Sequence, residues 1–381
     1  TGIHDVDTTL FTGFDYHEYD FLKVGNYYNE LNENNAFISD KSFPDADAYL
    51  SELIDINNSN IHLSNYTSLE EQLISTFGKG YSYNVLFPVV KKFYHTAPSK
   101  LAPDSHRLLG LGRISVSTSD HTKELKKDPL WDDKIAFHSF TEGISPFKSL
   151  YPVQGGCGSW INCLEEKLIQ SNVGIHKGSS INSLHLSDKY VTSVFTQNDE
   201  FQCDHLVWAS PPNFLINLLG NDFACTPVKR LTSSIYHFIV NKNYITDLHF
   251  LYCYDPSFKT FRVTLYENFS SGNPNQFRIT VEVLESETLT DNLSNQDLIF
   301  NELIQMKVID PNCKIIFSNS YNYLQGFPVI TKDFLNSSNE ASEYILDRCK
   351  NVFIYGKSSS KSFGMIEIFN TIHNSINSYF D

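Results

Sequence analysis

The 381-residue sequence predicts an α/β layer assembled from segments far apart in the chain, interrupted by an α+β domain built on an antiparallel sheet. Three observations carry that prediction. DHLVWAS (204–210) and NVFIYG (351–356) are nearly continuous apolar runs, the pattern of strands buried on both faces in a parallel sheet. Between them, SSIYHFIVN (233–241), LHFLYCY (248–254), FRVTLYE (261–267), FRITVEVL (277–284) and KIIFSNSYNYL (314–324) read as an antiparallel set. The chain is also too long for one ordinary core, and 41% hydrophobic and 14% aromatic content is ample for two.

The remaining elements follow in order. Residues 1–50 mix short apolar pieces with acidic and Tyr/Asn-rich stretches. Ser68 and Glu71 form a capping box, so a helix starts there and stops at Gly78. YSYNVLFPVVKKFYH (81–95) reads as a second helix, broken or bent at Pro88. Residues 97–135 carry three prolines and read as loop-rich. Trp160, Ile161, Leu164 and Leu168 recur at helical spacing, and Asn172–Gly174 ends that helix. GIHKGSSINSLHL (174–186) and YVTSVFT (190–196) then lead as strands into the apolar run at 204–210. NFSSGNPNQ (268–276) reads as a hairpin tip, and 294–306 as an amphipathic helix crossing the sheet. The last helix, 365–380, has Met365, Ile368, Phe369, Ile372 and Ile376 on one face.

A net charge of −15 argues against nucleic-acid binding and against docking on anionic membranes. No apolar run approaches the ~18–20 residues a spanning helix needs. Seven scattered cysteines without a C-x-x-C pair read as reduced thiols of a cytoplasmic protein.

The sharpest local feature is GGCG at 155–158, directly before a helical pattern. A phosphate cradle of the dinucleotide type needs a strand, then G-x-G-x-x-G, then a helix. Gly155, Gly156 and Gly158 do not have that spacing, the Lys-Ser/Thr of a P-loop is missing, and GLGRIS at 110–115 has Ser115 in the last glycine's place. A tight turn where the backbone passes close to something large suits them better. His4, Asp5 and Asp7, with Asp15, His17, Glu18 and Asp20, suggest a metal site by residue type. Their spacing matches no ligand signature, and a solvated acidic loop is the better reading, so no metal is expected. Cys157 lies in a glycine turn before a helix but has no marked histidine partner, and G-x-S-x-G is absent. His176, His185, His205 and His237 fall in strand patterns and read as satisfied core or edge residues. No acid–base pair stands out, so no catalytic side chain is assigned.

The order of segments is more telling than any one motif. YPVQGGCGSWINCLEEKLIQSNVGIHKGSSINSLHL (151–186), CDHLVWASPPNFLINLL (203–219) and NVFIYGKSSSKSFGMIEIFNTIHNSI (351–376) together resemble the FAD-dependent superfamily of amine oxidases, protoporphyrinogen oxidases, carotenoid desaturases and UDP-galactopyranose mutases. Residues 68–108 look like the protoporphyrinogen-oxidase and mutase branch. The resemblance implies a Rossmann-like FAD/NAD(P)-binding domain from 1–40, 150–225 and 320–381, and a substrate domain from 41–149 and 226–319. It puts the Gly155–Gly156 turn towards the flavin ring and substrate, with backbone around Ser180 and Ile181 at the adenine. Ala209 and Ser210 would close a strand end near the dinucleotide, and Gly356, Lys357, Met365 and Ile366 would border the flavin. Lys357 stands where many relatives have Arg or Asp.

One departure matters. The superfamily's opening strand with G-x-G-x-x-G is missing, and residues 1–22 resemble what normally follows it. The sequence opens on Thr1 without Met, and the expectation is that a βαβ unit precedes it; the other reading is a protein that has lost its pyrophosphate site. The function implied is flavin-centred: hydride leaves a C–N or C–C bond of a small-molecule substrate. The alternatives are a mutase-like sugar isomerase using reduced flavin, with Lys91, Lys92, Arg107 and Arg113 available as a phosphate clamp, or a flavin-free binding or scaffold protein.

Overall fold

The computed structural model describes residues 15–33, 37–39, 45–59, 65–139, 142, 148–220, 229–270, 275–286, 292–356 and 365–380. In chain order the strands are β1 (Tyr16–Tyr19), β2 (Val24–Tyr28), β3 (Glu30–Asn32), β4 (Ser149–Pro152), β5 (Ile181–Ser187), β6 (Tyr190–Thr196), β7 (Glu200–Gln202), β8 (Leu206–Trp208), β9 (Arg230–Val240), β10 (Phe250–Cys253), β11 (Thr260–Leu265), β12 (Phe277–Glu285), β13 (Ile315–Pro328) and β14 (Val352–Ile354). The α-helices are α1 (Ala46–Asn58), α2 (Leu69–Phe77), α3 (Lys79–Tyr81), α4 (Phe87–Tyr94), α5 (Ser119–Leu125), α6 (Pro129–Asp132), α7 (Cys157–Gln170), α8 (Pro212–Leu218), α9 (Asn292–Gln305), α10 (Lys332–Arg348) and α11 (Met365–Phe380). The chain divides into two units: 1–18, 147–228 and 333–381 form the first, and 19–146 with 229–332 the second.

The first unit holds the parallel pair the apolar runs predict, with Val352, Phe353 and Ile354 opposite Leu206, Val207 and Trp208. Beside it stands the antiparallel meander β5-β6-β7. Its core is small: Val191, Trp208, Leu215, Ile216, Ile345 and Val352 are buried together. Asn351 ties the pieces. Its Oδ1 accepts the Val191 N–H at 2.9 Å, and its Nδ2 donates to the carbonyls of Val191 and Asp204, each at 2.8 Å.

The second unit is built on a seven-stranded sheet in the order β13-β9-β12-β11-β10-β2-β3. It is antiparallel except where β2 runs parallel to β10. Helix α9 lies against it, Ile299, Leu303 and Met306 packing with Phe238, Val263 and Val281. A second cluster joins α1, α2 and α4 to the sheet through Leu53, Leu73, Phe77, Val90, Phe93, Tyr254 and Phe261.

The units are cut differently from the expected domains. Residues 19–40 and 320–332, expected with the first, belong to the second, because β2 and β3 extend the sheet and the β13–β9 ladder runs on to Pro328. The capping box forms, with Glu71 N–H on Ser68 Oγ at 3.2 Å and Glu71 Oε2 accepting from Thr67 N–H. Ahead of Pro88 the helix widens into a π turn over Ser82–Leu86. Proline has no N–H for the carbonyl a turn behind it, and the wider turn accommodates that loss. The expected hairpin tip lies partly outside the described residues.

Candidate functional site

Within the first unit, Ala209 and Ser210 follow β8 directly, and Gly356 follows β14 one residue beyond Tyr355, whose N–H donates to the Trp208 carbonyl. The C-terminal ends of adjacent parallel strands are where open α/β sheets bind their ligands. Gly356 has φ +90°, and a Cβ built on it would stand 3.1 Å from the Ala209 carbonyl oxygen. Only glycine meets both demands. A groove of about 260 Å³ runs beside this strand end, lined by Tyr355 and Gly356, by Leu346 of α10, and by Ile368 and Thr371 of α11.

The glycine turn belongs to the same unit. Gly155 (φ +73°) and Gly156 (φ +61°) both take the left-handed region, and Gly156 caps α7. Side chains cannot easily follow there, which explains the pair more simply than a phosphate does. From the same helix Trp160 meets Phe369 of α11 edge-on, with ring centres 6.4 Å apart. Ile181 opens β5 and packs on the cluster containing Trp208 and Val352, while Ser180 stands exposed just before it. The structure thus brings Ala209 and Gly356 into contact, and links the Gly155–Gly156 helix to α11. Met365 and Ile366 open α11; Lys357 lies outside the described residues.

The other sequence candidates have local partners. Cys157 is exposed at the start of α7. His185 Nδ1 contacts Thr192 Oγ1 at 3.0 Å, and the His176 and His205 rings pack near Phe201 and Phe353. Glu18 pairs with Lys148 at 3.4 Å, while His4, Asp5 and Asp7 lie outside the described residues. Among the described residues no group of three His, Cys, Asp or Glu is placed to hold a metal ion. The four basic residues of the supposed clamp do not converge. Arg107 pairs with Asp104 at 3.0 Å, and Arg113 lies within 3.7–3.8 Å of Asp132 and Asp133. The Lys92 ammonium turns inward onto the carbonyls of Cys253 and Asp255, and Lys91 is exposed.

In the second unit the sheet face opposite α9 is the chemically rich surface. Register sets Tyr252, Arg262, Glu282, Ile235 and Tyr321 side by side, and below them Phe250, Thr264, Thr280, His237 and Asn319. Arg262 donates from Nε (2.8 Å) and Nη2 (2.6 Å) to Glu282 Oε1. Burial works against the guanidinium charge, but Glu282 outweighs it and holds the Arg262 pKa above its ordinary value. His237 Nδ1 lies 2.8 Å from Thr280 Oγ1, which donates to the Tyr266 hydroxyl at 3.1 Å. Burial lowers the His237 pKa, so the ring is neutral at pH 7. Asn319 Nδ2 donates to the Tyr321 hydroxyl at 2.9 Å. With its one charge pair internally matched, the face offers rings to stack on and hydroxyl and amide groups to bond with.

No family model matches the sequence, and no curated protein matches it. Solved structures do. A reduced UDP-galactopyranose mutase superposes with a TM-score of 0.65 at 13% identity, over 90% of this chain and 73% of that one. The chain has their fold. A putative protoporphyrinogen oxidase from Exiguobacterium sp. 255-15 gives 0.56 at 12% identity, over 86% and 72%. Cyclohexylamine oxidase from Brevibacterium oxydans IH-35A gives 0.54 at 10%, over 97% and 85%. The α/β fold with an inserted sheet domain is therefore the one the sequence resemblance implied, and it is shared with these solved structures. Among the described residues no helix is long and apolar enough to cross a membrane.

Arg262 and Glu282 were absent from the sequence-based candidates. The signal was present: in FRVTLYE and FRITVEVL each falls between apolar residues, on the face turned from the core.

Proposed function

We propose that the protein is a flavin-dependent oxidoreductase of the amine oxidase or protoporphyrinogen oxidase type, acting on a small-molecule substrate in the cytoplasm without nucleic acid. The observation that carries this reading is the Gly356–Ala209 contact at the ends of β14 and β8, a close-packed backbone corner that a Cβ would fill. Bound FAD would supply hydride acceptance from a C–N or C–C bond. The chain's own part is positional. Gly356 and Ala209 keep side chains out of the strand ends, and the Gly155–Gly156 turn opens α7 beside α11. The fit is to the inner part of the cofactor, since no G-x-G-x-x-G occurs in these 381 residues. Taken by itself, the polar sheet face of the second unit offers Arg262, Tyr321 and Asn319 to hold a small molecule, with His237 beside Thr280.

The same face supports a second reading. Matched charge, several tyrosine rings and clustered hydroxyl and amide groups suit a polyhydroxylated molecule, and hence a mutase-like sugar isomerase working with reduced flavin. The visible spectrum of the purified protein with added FAD tests both. Flavin bands that survive gel filtration, bleached by an amine, support the oxidase; turnover only after dithionite reduction supports the isomerase. A folded protein that stays colourless overturns both and leaves a flavin-free binding protein on this fold.

A further inference from the structure

The start of β2 is fastened to β10 by one imidazole. Val24, Gly25 and Asn26 lie opposite Phe250, Leu251 and Tyr252 in the parallel pairing. Just before that ladder the Lys23 N–H donates to His249 Nδ1 at 3.0 Å, and the His249 N–H donates back to the Lys23 carbonyl at 2.9 Å. A backbone N–H can only donate, so Nδ1 carries no proton and the ring's hydrogen sits on Nε2. His249 is only 5% exposed, and its Nε2 is buried without a hydrogen-bond partner. Tyr19 and Phe269 pack edge-on against the ring, with centres 5.0 and 4.7 Å away.

A second proton has no place in this arrangement. It must enter at Nδ1, where the new N–H points at the Lys23 N–H, and Nε2–H still finds no acceptor. Among the described residues the titratable groups facing the ring are Lys23, Asp247 and Tyr19. Burial is the largest influence and lowers the His249 pKa, the Lys23 ammonium adds to it, and Asp247, paired with Lys23, opposes. Burial raises the Tyr19 pKa, so its hydroxyl stays neutral and donates to the Phe269 carbonyl. The far end of β2 is held differently. There the Tyr254 and Asp255 N–H groups donate to the Tyr27 carbonyl at 2.9 and 3.2 Å, and Asp255 Oδ2 accepts from the Asn29 N–H at 3.1 Å. Burial pulls the Asp255 pKa up, but bonds from Ser257 and Asn29 outweigh it and hold the carboxyl below its ordinary range. That end therefore keeps its charge in mild acid.

We propose that His249 is an acid-released latch: a proton on Nδ1 frees Lys23 and frays β2, with β3, from the edge of β10. Phe250 and Tyr252 of the polar face then lose their neighbouring strand. The opened ring takes up its proton near the ordinary value of about 6.5, while the closed ring resists it to lower pH. The open form thus binds more protons in that window, so closure is complete above about pH 6.5 and weakens as pH falls. The latch lies wholly within the second unit and needs no flavin.

The test is amide hydrogen exchange of the whole chain at about pH 7 and about pH 5, read as protection factors so that the intrinsic exchange rate cancels. His249→Asn is the comparison, since a carboxamide oxygen keeps an acceptor beside the Lys23 N–H and does not titrate. Between the two pH values the Lys23 and β2 amides should lose about tenfold more protection in the wild type than in His249→Asn. In the wild type at the lower pH they should also exchange faster than the amides of β9 and β12, because the opening is confined to the edge. An equal pH response in the two proteins overturns the proposal. So does equal wild-type protection of β2, β9 and β12 at the lower pH, which would mark global unfolding. Should His249→Asn fail to fold, the wild-type comparison of strands decides alone.

Discussion

Gly356 and Ala209 meet backbone to backbone at the ends of two parallel strands, with 3.1 Å between the Ala209 oxygen and the place a Cβ of Gly356 would take. Two separate penalties therefore fall on any side chain at 356. The left-handed φ of +90° costs an L-residue ~1–2 kcal/mol, and the Ala209 carbonyl, fixed by its strand, has no flexible end to move. Gly356→Ala should lower unfolding free energy in urea by about 1–2 kcal/mol and weaken FAD in a fluorescence titration at least tenfold. Gly158→Ala is the control, since a Cβ there meets nothing within 4 Å. Equal FAD affinity for Gly356→Ala and wild type would detach this corner from the cofactor.

Asn351 is the first unit's most concentrated polar link. One buried carboxamide satisfies the N–H and C=O of Val191 and the carbonyl of Asp204. Truncation to Ala strands all three backbone groups, and Asn351→Asp keeps the acceptor but loses both donations. We expect ~2–4 kcal/mol lost for Ala, and at least as large a loss for Asp above its pKa, where a buried carboxylate would face two carbonyl oxygens. Hydrogen exchange should show the β6 amides opening first. A loss below about 1 kcal/mol in urea unfolding would mean that water replaces the side chain.

How far the sequence was legible differs by element. NVFIYG and DHLVWAS were legible as strands of one α/β layer because both are apolar runs, but the expectation of burial on both faces fails: Val207 is 55% exposed, and Phe353 and Ile354 are only partly buried. Helix α10 was not foreseen, since its buried positions Phe334, Ser337, Ala341 and Ile345 include two small residues that blur the stripe. Helix α1 escaped likewise, its buried side being Tyr49, Leu53 and Asn57. The domain boundary at residue 19 was unreadable because β2 pairs with β10, more than two hundred residues downstream, and register of that kind leaves no local mark. The glycine turn at 155–156 was legible as a tight turn, and both residues do adopt positive φ. The polar sheet face was missed for a simpler reason: its members are spread over five strands and meet only after folding.

His106 sets a pH dependence in the second unit. Burial is the largest influence and lowers its pKa to about 4, with Asp104 opposing and Arg107 reinforcing. The unfolded chain, near 6.5, then binds more protons than the folded one between those values, so stability rises with pH across the window and is lost as pH falls from 6.5 towards 4. The full loss is about 3 kcal/mol, since one pKa unit is worth ~1.4 kcal/mol. Urea unfolding at pH 7, 5.5 and 4.5 should show this slope in the wild type and a flatter one in His106→Gln. Identical slopes would place the acid sensitivity elsewhere.

Arg262 and Glu282 face each other across β11 and β12, two donors of one on a single oxygen of the other. With 38% of the Arg262 side chain exposed, solvent screens the pair, and its contribution to stability is ~1 kcal/mol or less. Geometry gives it more weight in recognition, because a planar guanidinium held along one edge presents its remaining N–H groups in a fixed direction. Arg262→Lys keeps the charge and loses the fork. We expect it to melt within about 2 °C of the wild type and, for a substrate held on this face, to raise KM about tenfold while leaving kcat within threefold. Glu282→Gln should act in the same direction but more weakly, because one amide oxygen can still accept from Arg262. Tyr321→Phe removes the hydroxyl bonded by Asn319 and keeps the ring, so it separates stacking from hydrogen bonding on the same face. If Arg262→Lys alters kcat and spares KM, the residue acts on the reacting bond, and the sheet face is then part of the chemistry and not only its floor.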